Sequence, residues 1–525
     1  MSLGGIRQSQ SVLHTWSGLL VGWVLFLIFI AGTAAYWRVE LTRWMQPEAG
    51  LPAAAPVALE QAQRFLARNA PDAQRWSIEL PGNRSSSTAV SWQPQGAEER
   101  RRGQRNPYQA MLDNKGEPVQ VRETRGGNFF YRLHFDLHYV PVLWARWLVC
   151  FCTMFMLVAI VSGVITHKKI FTDFFTLRRG KGQRSWLDGH NALAVLSLPF
   201  HLMITYTGLI TLMTLYMPWA VDANFGGGRD AFFAELFPRT EKVQASGIAA
   251  TPPALADVLR RAELQWQDGR AGSLQLENPG DAAMRITVRR QSGDRIADAD
   301  QPLTFDASGE LVDAAGARSA AVVTRDGMIG LHAARFAPTV MRWLFFVSGI
   351  AGTLMVATGL VLWTVKRRAQ LPDPQRPHLG FRIVERLNIG FVAGLPVAML
   401  AFLWGNRLLP LHVSNRSDAE VQVFFYAWAL CLLHAMLRTP RRAWVEQLAF
   451  AGALALALPV FNVVIWHGGL FAAVTAGDGA KAGVDIALLT LGASLLWAAR
   501  KAHRFVPAAR RVRAPRPAAT AEASA

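Results

Sequence analysis

Eight apolar runs, at about 14–36, 142–166, 190–216, 340–364, 388–408, 421–437, 445–466 and 484–499, each approach the ~20 residues a helix needs to cross a bilayer. Backbone polar groups in lipid must be satisfied within the segment itself, so runs of this length predict membrane-spanning helices. A helical bundle alone does not account for the chain, because two long polar stretches, about 37–133 and 217–331, separate the first four runs. The composition reflects this mixture, with 51% hydrophobic and 18% charged residues. The first run follows a single basic residue, Arg7, and lacks a small-residue cleavage site, so a retained helix is expected rather than a signal peptide.

Basic residues set the expected orientation. Arg and Lys crowd 167–184, 365–370, 438–443 and 499–513, which the positive-inside rule places in the cytoplasm together with both termini. The two long stretches then face the opposite side, the periplasm. The net charge of +18 sits largely beside helix ends, which argues for anchoring at a lipid surface and against nucleic acid as a partner. Cys150, Cys152 and Cys431 all fall in apolar runs and are expected to pack as small hydrophobes.

The two polar stretches resemble each other. Each opens with a helical pattern (57–70 and 253–266) and continues with alternating runs such as RWSIEL (75–80) and MRITVRR (284–290). Each then shows a tight turn between short strands, within 110–121 and 303–313. The flanking helices repeat as well. His14 precedes Gly32 by 18 residues and His190 precedes Gly208 by 18, while His134 precedes Lys168 by 34 and His332 precedes Lys366 by 34. A duplicated helix, module, helix unit is predicted. The expected segments are a first helix (1–36), module 1 (37–133), a second helix (134–168), a loop (169–186) and a third helix (187–216). Module 2 (217–331), a fourth helix (332–366), a linker (367–387), an appended four-helix bundle (388–499) and a basic tail (500–525) follow.

The strings LHTWSGLLVGW, LHFDLHY, ITHKKIFTDFF, KGQRSWLDGHN, LPFHLMITYTGL and IGLHAARF resemble the PepSY-associated transmembrane family over residues 1 to about 368, in particular its inner-membrane iron-uptake proteins of the PiuB and FoxB type. That resemblance implies an α-helical integral inner-membrane protein with a four-helix core and periplasmic α+β PepSY modules. It also implies a two-haem ferrisiderophore reductase.

An ionisable residue inside a spanning helix is costly and marks a candidate functional site. Histidine is a common axial ligand of haem iron, and two imidazoles from facing helices can hold one. His14 and His190 are duplicates at equal expected depth, which suits one clamp; His134 and His332, duplicates on the other side, suit a second. His190 and His201 are 11 residues apart, so on one continuous helix they differ by ~20° in direction and ~16 Å in height. His138 follows His134 by one helical turn and is a further candidate, as ligand or propionate partner. An intramembrane histidine can equally hydrogen-bond a neighbouring helix. His167 is expected at the surface, and His378, His412, His434, His467 and His503 lie outside the repeated unit, as structural residues or with no role the sequence assigns.

The 34-residue spacing creates a difficulty, since an unbroken helix of that length spans ~51 Å and would hold the two clamps far apart. His201 would then substitute for an end ligand or carry a third haem. Cys-x-x-Cys-His is absent, so any haem is b-type, and no nucleotide fingerprint implies a flavin or nicotinamide domain. The expected function is transmembrane electron transfer from a separate donor to a periplasmic ferric siderophore, with release of Fe(II). FFYR (129–132), Trp219 and Phe225 border the expected substrate region, although ordinary interfacial aromatics account for them as well. A haem-free permease using the last four helices and a PepSY-type peptidase regulator are the alternatives.

Overall fold

The structure, a computed structural model, describes residues 5–82, 87–97, 106–167, 178, 180, 182–226, 228–236, 243–267, 269–297, 302–314, 316, 318–466 and 468–505. Most of the loop expected at 169–186, the end of the basic tail and His467 lie outside the described residues.

In chain order the first unit comprises α1 (Ile6–Ala35), α2 (Arg38–Met45), α3 (Ala55–Asn69), β1 (Ala73–Glu79), β2 (Thr88–Pro94), β3 (Gln109–Leu112), β4 (Pro118–Val119), α4 (Asn128–Asp136) and α5 (Val142–Thr166). The second comprises α6 (Gln183–Leu196), α7 (Leu198–Thr211), three short helices α8 to α10 (Met213–Tyr216, Pro218–Asn224 and Gly228–Leu236), α11 (Leu255–Trp266), β5 (Ala271–Glu277), β6 (Arg285–Arg290), β7 (Leu303–Phe305), β8 (Leu311–Ala314), α12 (Ala320–Ala333) and α13 (Thr339–Arg368). The appended part holds α14 (Leu379–Val392), α15 (Gly394–Leu408), α16 (Arg416–Leu437), α17 (Pro440–Trp466), α18 (Leu470–Thr475) and α19 (Gly479–Arg504). Among the described residues seven helical stretches are long and apolar enough to cross a membrane, with Leu379–Leu408 counted as one, so this is a multi-pass membrane protein. The pair α6 and α7 makes an eighth span if it is taken as one.

That pair corrects the expectation of a continuous helix over 187–216. The axis bends by 67° between α6 and α7. Pro199 sits in the first turn of α7, where it has no N–H to continue a preceding helix, and the chain leaves helical geometry at Ser197 (φ -108, ψ 19). The expected second and fourth helices are broken in the same manner. After α4 the chain passes through left-handed Leu137 (φ 51) and His138 (φ 57) and restarts at Pro141. After α12 it turns at Ala334 (φ 48) and restarts at Pro338.

The two α+β modules do not stand apart. They form one antiparallel sheet in the order β4-β3-β2-β1-β5-β6-β7-β8, joined where the first strand of each copy meets the other. At that seam Trp76 opposes Leu276 and Ile78 opposes Leu274, and the Arg75 guanidinium bridges the Glu277 carboxylate at 2.5 Å. Helices α3 and α11 cover one face, so Leu59, Leu66, Ile78, Leu259, Leu274 and Leu276 share one core. Pairing the two first strands removes two exposed edges, each of which would otherwise present unpaired backbone groups. The turns match too: Asp113 Oδ1 accepts from the Lys115 and Glu117 amides ahead of β4, and Asp306 Oδ1 accepts from the Ser308 and Glu310 amides ahead of β8.

In the helical part α1 packs against both α5 and α13, α6 lies on α13, and α7 lies on α12 and α5. Asn388 of α14 is buried at this junction, where it accepts from Trp23 Nε1 (2.9 Å) and donates to the Leu360 carbonyl (2.9 Å). This bond ties the appended helices to the core.

Candidate functional site

The breaks bring four histidines into two facing pairs. His14 on α1 meets His190 on α6 with ring centroids 6.3 Å apart and planes at 70°. His134 on α4 meets His332 on α12 with centroids 6.0 Å apart and planes at 37°. Each pair takes one ring from each unit.

All four imidazoles are held in the same way. His14 Nδ1 lies 2.8 Å from the Ala159 carbonyl of α5, and His190 Nδ1 lies 3.0 Å from the Met355 carbonyl of α13. His134 Nδ1 lies 2.7 Å from the Ile28 carbonyl of α1, and His332 Nδ1 lies 3.1 Å from the Ile204 carbonyl of α7. A carbonyl only accepts, so Nδ1 carries the proton and donates. Nε2 is then the nitrogen with a free lone pair, the tautomer suited to binding a metal. Four residues beyond each receiving carbonyl stands a glycine: Gly163, Gly359, Gly32 and Gly208. A Cβ at these glycines would come within 3.2, 3.2, 2.6 and 3.0 Å of the respective ring, so the absence of a side chain is what lets the imidazole lie against the helix.

The spacing within each pair fits a shared ion. With a metal–nitrogen distance of about 2 Å and the nitrogen about 1 Å from its ring centre, two imidazoles on opposite sides of one metal have centroids about 6 Å apart. Among the described residues no group of three or more His, Cys, Asp or Glu forms a metal site, so a metal between two of these rings would have two of its ligands from the pair. A cavity of about 940 Å³ surrounds the first pair and is lined also by His201, Gly163, Gly359 and Trp363, with Arg7 and Lys366 among the basic residues on its wall.

The separation between the pairs is smaller than an unbroken 34-residue helix allows. His134 reaches back to Ile28, 14 residues along α1 from His14, which places the two levels roughly 20 Å apart at 1.5 Å per residue. The expected 51 Å gap is therefore corrected: the ~34-residue stretches are each two helices.

His201 joins neither pair. The bend between α6 and α7 removes the single face it was expected to share with His190. It is 1% exposed, edge-on to Phe29 at 6.2 Å, and its Nε2 has no hydrogen-bond partner. His138 is not a helical turn beyond His134, because α4 ends at Asp136; its ring stacks on Phe425 at 5.6 Å instead. His167 Nε2 is 2.8 Å from Asn191 Nδ2, His434 Nε2 is 2.8 Å from the Glu446 carboxylate, and His378 caps α14 by accepting from the Phe381 amide. Phe129 and Phe130 are buried against Phe402 and so do not border an open substrate region, whereas Trp219 is exposed. The three cysteines are buried and unbonded.

The residues that carry this geometry lie within a recognisable stretch. A family model described as the PepSY-associated TM region matches residues 11–366. The chain belongs to that family. An uncharacterized protein of Pseudomonas aeruginosa is 25% identical over 373 residues, covering 67% of this chain and 89% of the relative. All four paired histidines and their four glycines fall inside the PepSY-associated match, and α14 to α19 fall outside it.

Proposed function

We propose that this PepSY-associated protein is a di-haem electron conduit of the bacterial inner membrane, of the PiuB and FoxB type, that reduces a ferric siderophore in the periplasm. The observation that carries the reading is the pair of facing imidazoles, repeated twice: Nδ1 donates to a helix carbonyl, Nε2 is free to ligate, and the centroids lie 6.3 and 6.0 Å apart. Two protein ligands per ion suit a metal whose remaining coordination a macrocycle supplies, and no Cys-x-x-Cys-His offers covalent attachment. These residues fit b-type haem. When bound, haem supplies one-electron redox chemistry at its iron.

The protein's own contribution is position. The carbonyls of Ala159, Met355, Ile28 and Ile204 fix the tautomer and the rotation of each ring, and such outer hydrogen bonds raise ligand basicity. In this reading the shared sheet faces the periplasm, both termini face the cytoplasm, and the two modules are PepSY modules lying beside the outer pair. Reduction weakens an oxygen-rich chelate's hold on iron, because such ligands favour the smaller and more highly charged ion. A separate donor on the cytoplasmic or membrane side supplies the electrons.

Purification of the full chain tests this. A red protein with bis-imidazole absorption and two haems per chain is expected, with His14→Ala, His190→Ala, His134→Ala and His332→Ala each losing one. A colourless protein, or full haem content in all four variants, refutes it.

A further inference from the structure

The appended helices lie outside the family match, yet one buried group of their polar contacts converges on the segment that leads into α4. Glu420 of α16 is fully buried and accepts from Thr124 Oγ1 (2.5 Å), from Asn406 Nδ2 (2.8 Å) and from Arg416. Arg416, 1% exposed, donates also to the Glu123 carbonyl at 2.9 Å and the Asn406 carbonyl at 2.6 Å. Ser417 donates to the Glu123 carboxylate at 2.9 Å, and Arg122 Nη1 reaches the Asn406 carbonyl at 2.7 Å. The Asn406 carbonyl, Arg416 with Ser417, and the Glu420 carboxylate thus hold residues 122, 123 and 124 in turn.

The segment passes this fixation on within a few residues. Thr124 Oγ1 accepts from the Gly126 amide at 2.9 Å, and the Gly127 amide donates to Thr42 Oγ1 at 2.9 Å. Helix α4 begins at Asn128, and Phe129 and Phe130 seat it on Phe402 of α15 with ring centroids 4.7 and 5.4 Å away. Four residues later comes His134. The matching helix of the other unit, α12, is held differently: its Ser319 amide donates to Glu235 of α10, and Arg325 lies over Phe232 of the same helix. Among the described residues the pseudo-symmetric pair is therefore supported asymmetrically, α4 resting on Phe402 of the bundle and α12 on α10.

We propose that the C-terminal bundle is a positioning device for His134, acting through Glu420 and Phe402 on the 122–130 segment. This rests on the reading of His134 and His332 as haem ligands. Loosening the latch lets the His134 ring drift from the Ile28 carbonyl. The ligand then becomes less basic, which destabilises the ferric state.

The test uses the full chain in detergent, with Thr124→Val and Phe402→Leu, and Thr124→Ser as the conservative partner. Each is titrated electrochemically and followed by optical and electron paramagnetic resonance spectra. The expected result is two haems retained, with the midpoint potential of one raised. That haem is the one missing from His332→Ala, and it leaves the protein about tenfold faster; the other haem is unmoved and Thr124→Ser restores the native values. Unchanged potentials in a two-haem protein overturn the positioning role and leave the haem reading intact, as does an equal shift of both haems. A wild-type chain that binds no haem overturns the reading on which the proposal rests.

Discussion

The four glycines opposite the histidines give a graded perturbation whose order is set by distance. An alanine Cβ at Gly32 would stand 2.6 Å from His134 Nδ1, against 3.0 Å from His332 at Gly208 and 3.2 Å from His14 and His190 at Gly163 and Gly359. Ordinary contact begins near 3.4 Å, so Gly32→Ala pushes the His134 ring back by the difference, about 0.8 Å. The 2.7 Å bond from Nδ1 to the Ile28 carbonyl then stretches to about 3.5 Å, where little of it survives. Its loss alone costs about 0.5–1.5 kcal/mol. Loss of an outer hydrogen bond to a metal-binding histidine typically weakens the metal site about 10–100-fold. At Gly163 and Gly359 the neighbour has to give only about 0.2 Å, which small ring shifts accommodate. Titration of haem into the apo chain, read by difference absorption, should therefore show one weakened site of two in Gly32→Ala, a milder loss in Gly208→Ala and near-native binding in the other two. A Gly359→Ala protein more impaired than Gly32→Ala would refute the steric reasoning, and native binding in all four would show that the glycines do not set the imidazoles.

Three further outcomes are expected. His201→Leu removes a buried Nε2 without a partner together with the bond of the ring to the Ser348 carbonyl, and should leave two haems per chain with stability changed by no more than about 1 kcal/mol in a denaturant titration; a drop to one haem would make His201 a ligand. Ile78→Ala, at the seam opposite Leu274, should lower stability by about 2–5 kcal/mol and loosen both modules together in hydrogen exchange, whereas loosening of the first module alone would count against a shared core. The Asp281 carboxylate accepts from the Ser246, Gly247 and Ala283 amides, which hold its pKa down from 3.8 to about 2. Its folded value is depressed, so its contribution is complete above the unfolded value and lost as pH falls through the folded one. Amides at 246 and 247 should stay protected at pH 5 and open between about pH 4 and 2; opening already at pH 5 would contradict the assignment.

Much of this architecture is legible in the chain before any coordinates. Span length is a local property, and apolar runs of the right size report it directly. The paired histidines are legible through repetition, because matched spacings such as His14 to Gly32 and His190 to Gly208 mark positions with a common task. The helix breaks also have a local sign, since Pro141, Pro199 and Pro338 each stand at or beside a restart, and hydropathy hides them because a proline within an apolar run barely lowers its mean. Other features have no local sign. The union of β1 with β5 joins residues about 200 apart in sequence, and an alternating strand does not name the strand it will pair with. The receiving carbonyls of Ala159 and Met355 are backbone groups of otherwise unremarkable positions, visible only once the helices are packed.

The duplication explains why the pairs exist at all. A single helix, module, helix unit presents two imidazoles roughly 20 Å apart in depth, each able to supply only half of a two-ligand site. Placing a second unit against it, with the first strands joined across β1 and β5 and α1 packed antiparallel on α13, puts each imidazole opposite its copy. The same operation that completes the sheet therefore completes both sites at once. Each pair carries one ring from each unit, so neither site can form without the other half of the chain. The appended bundle meets the His134 side through Thr124 and Phe402, and in the proposed conduit two sites of common origin would differ in potential without any change in the ligand atoms. In that conduit such a difference would favour electron transfer in one direction.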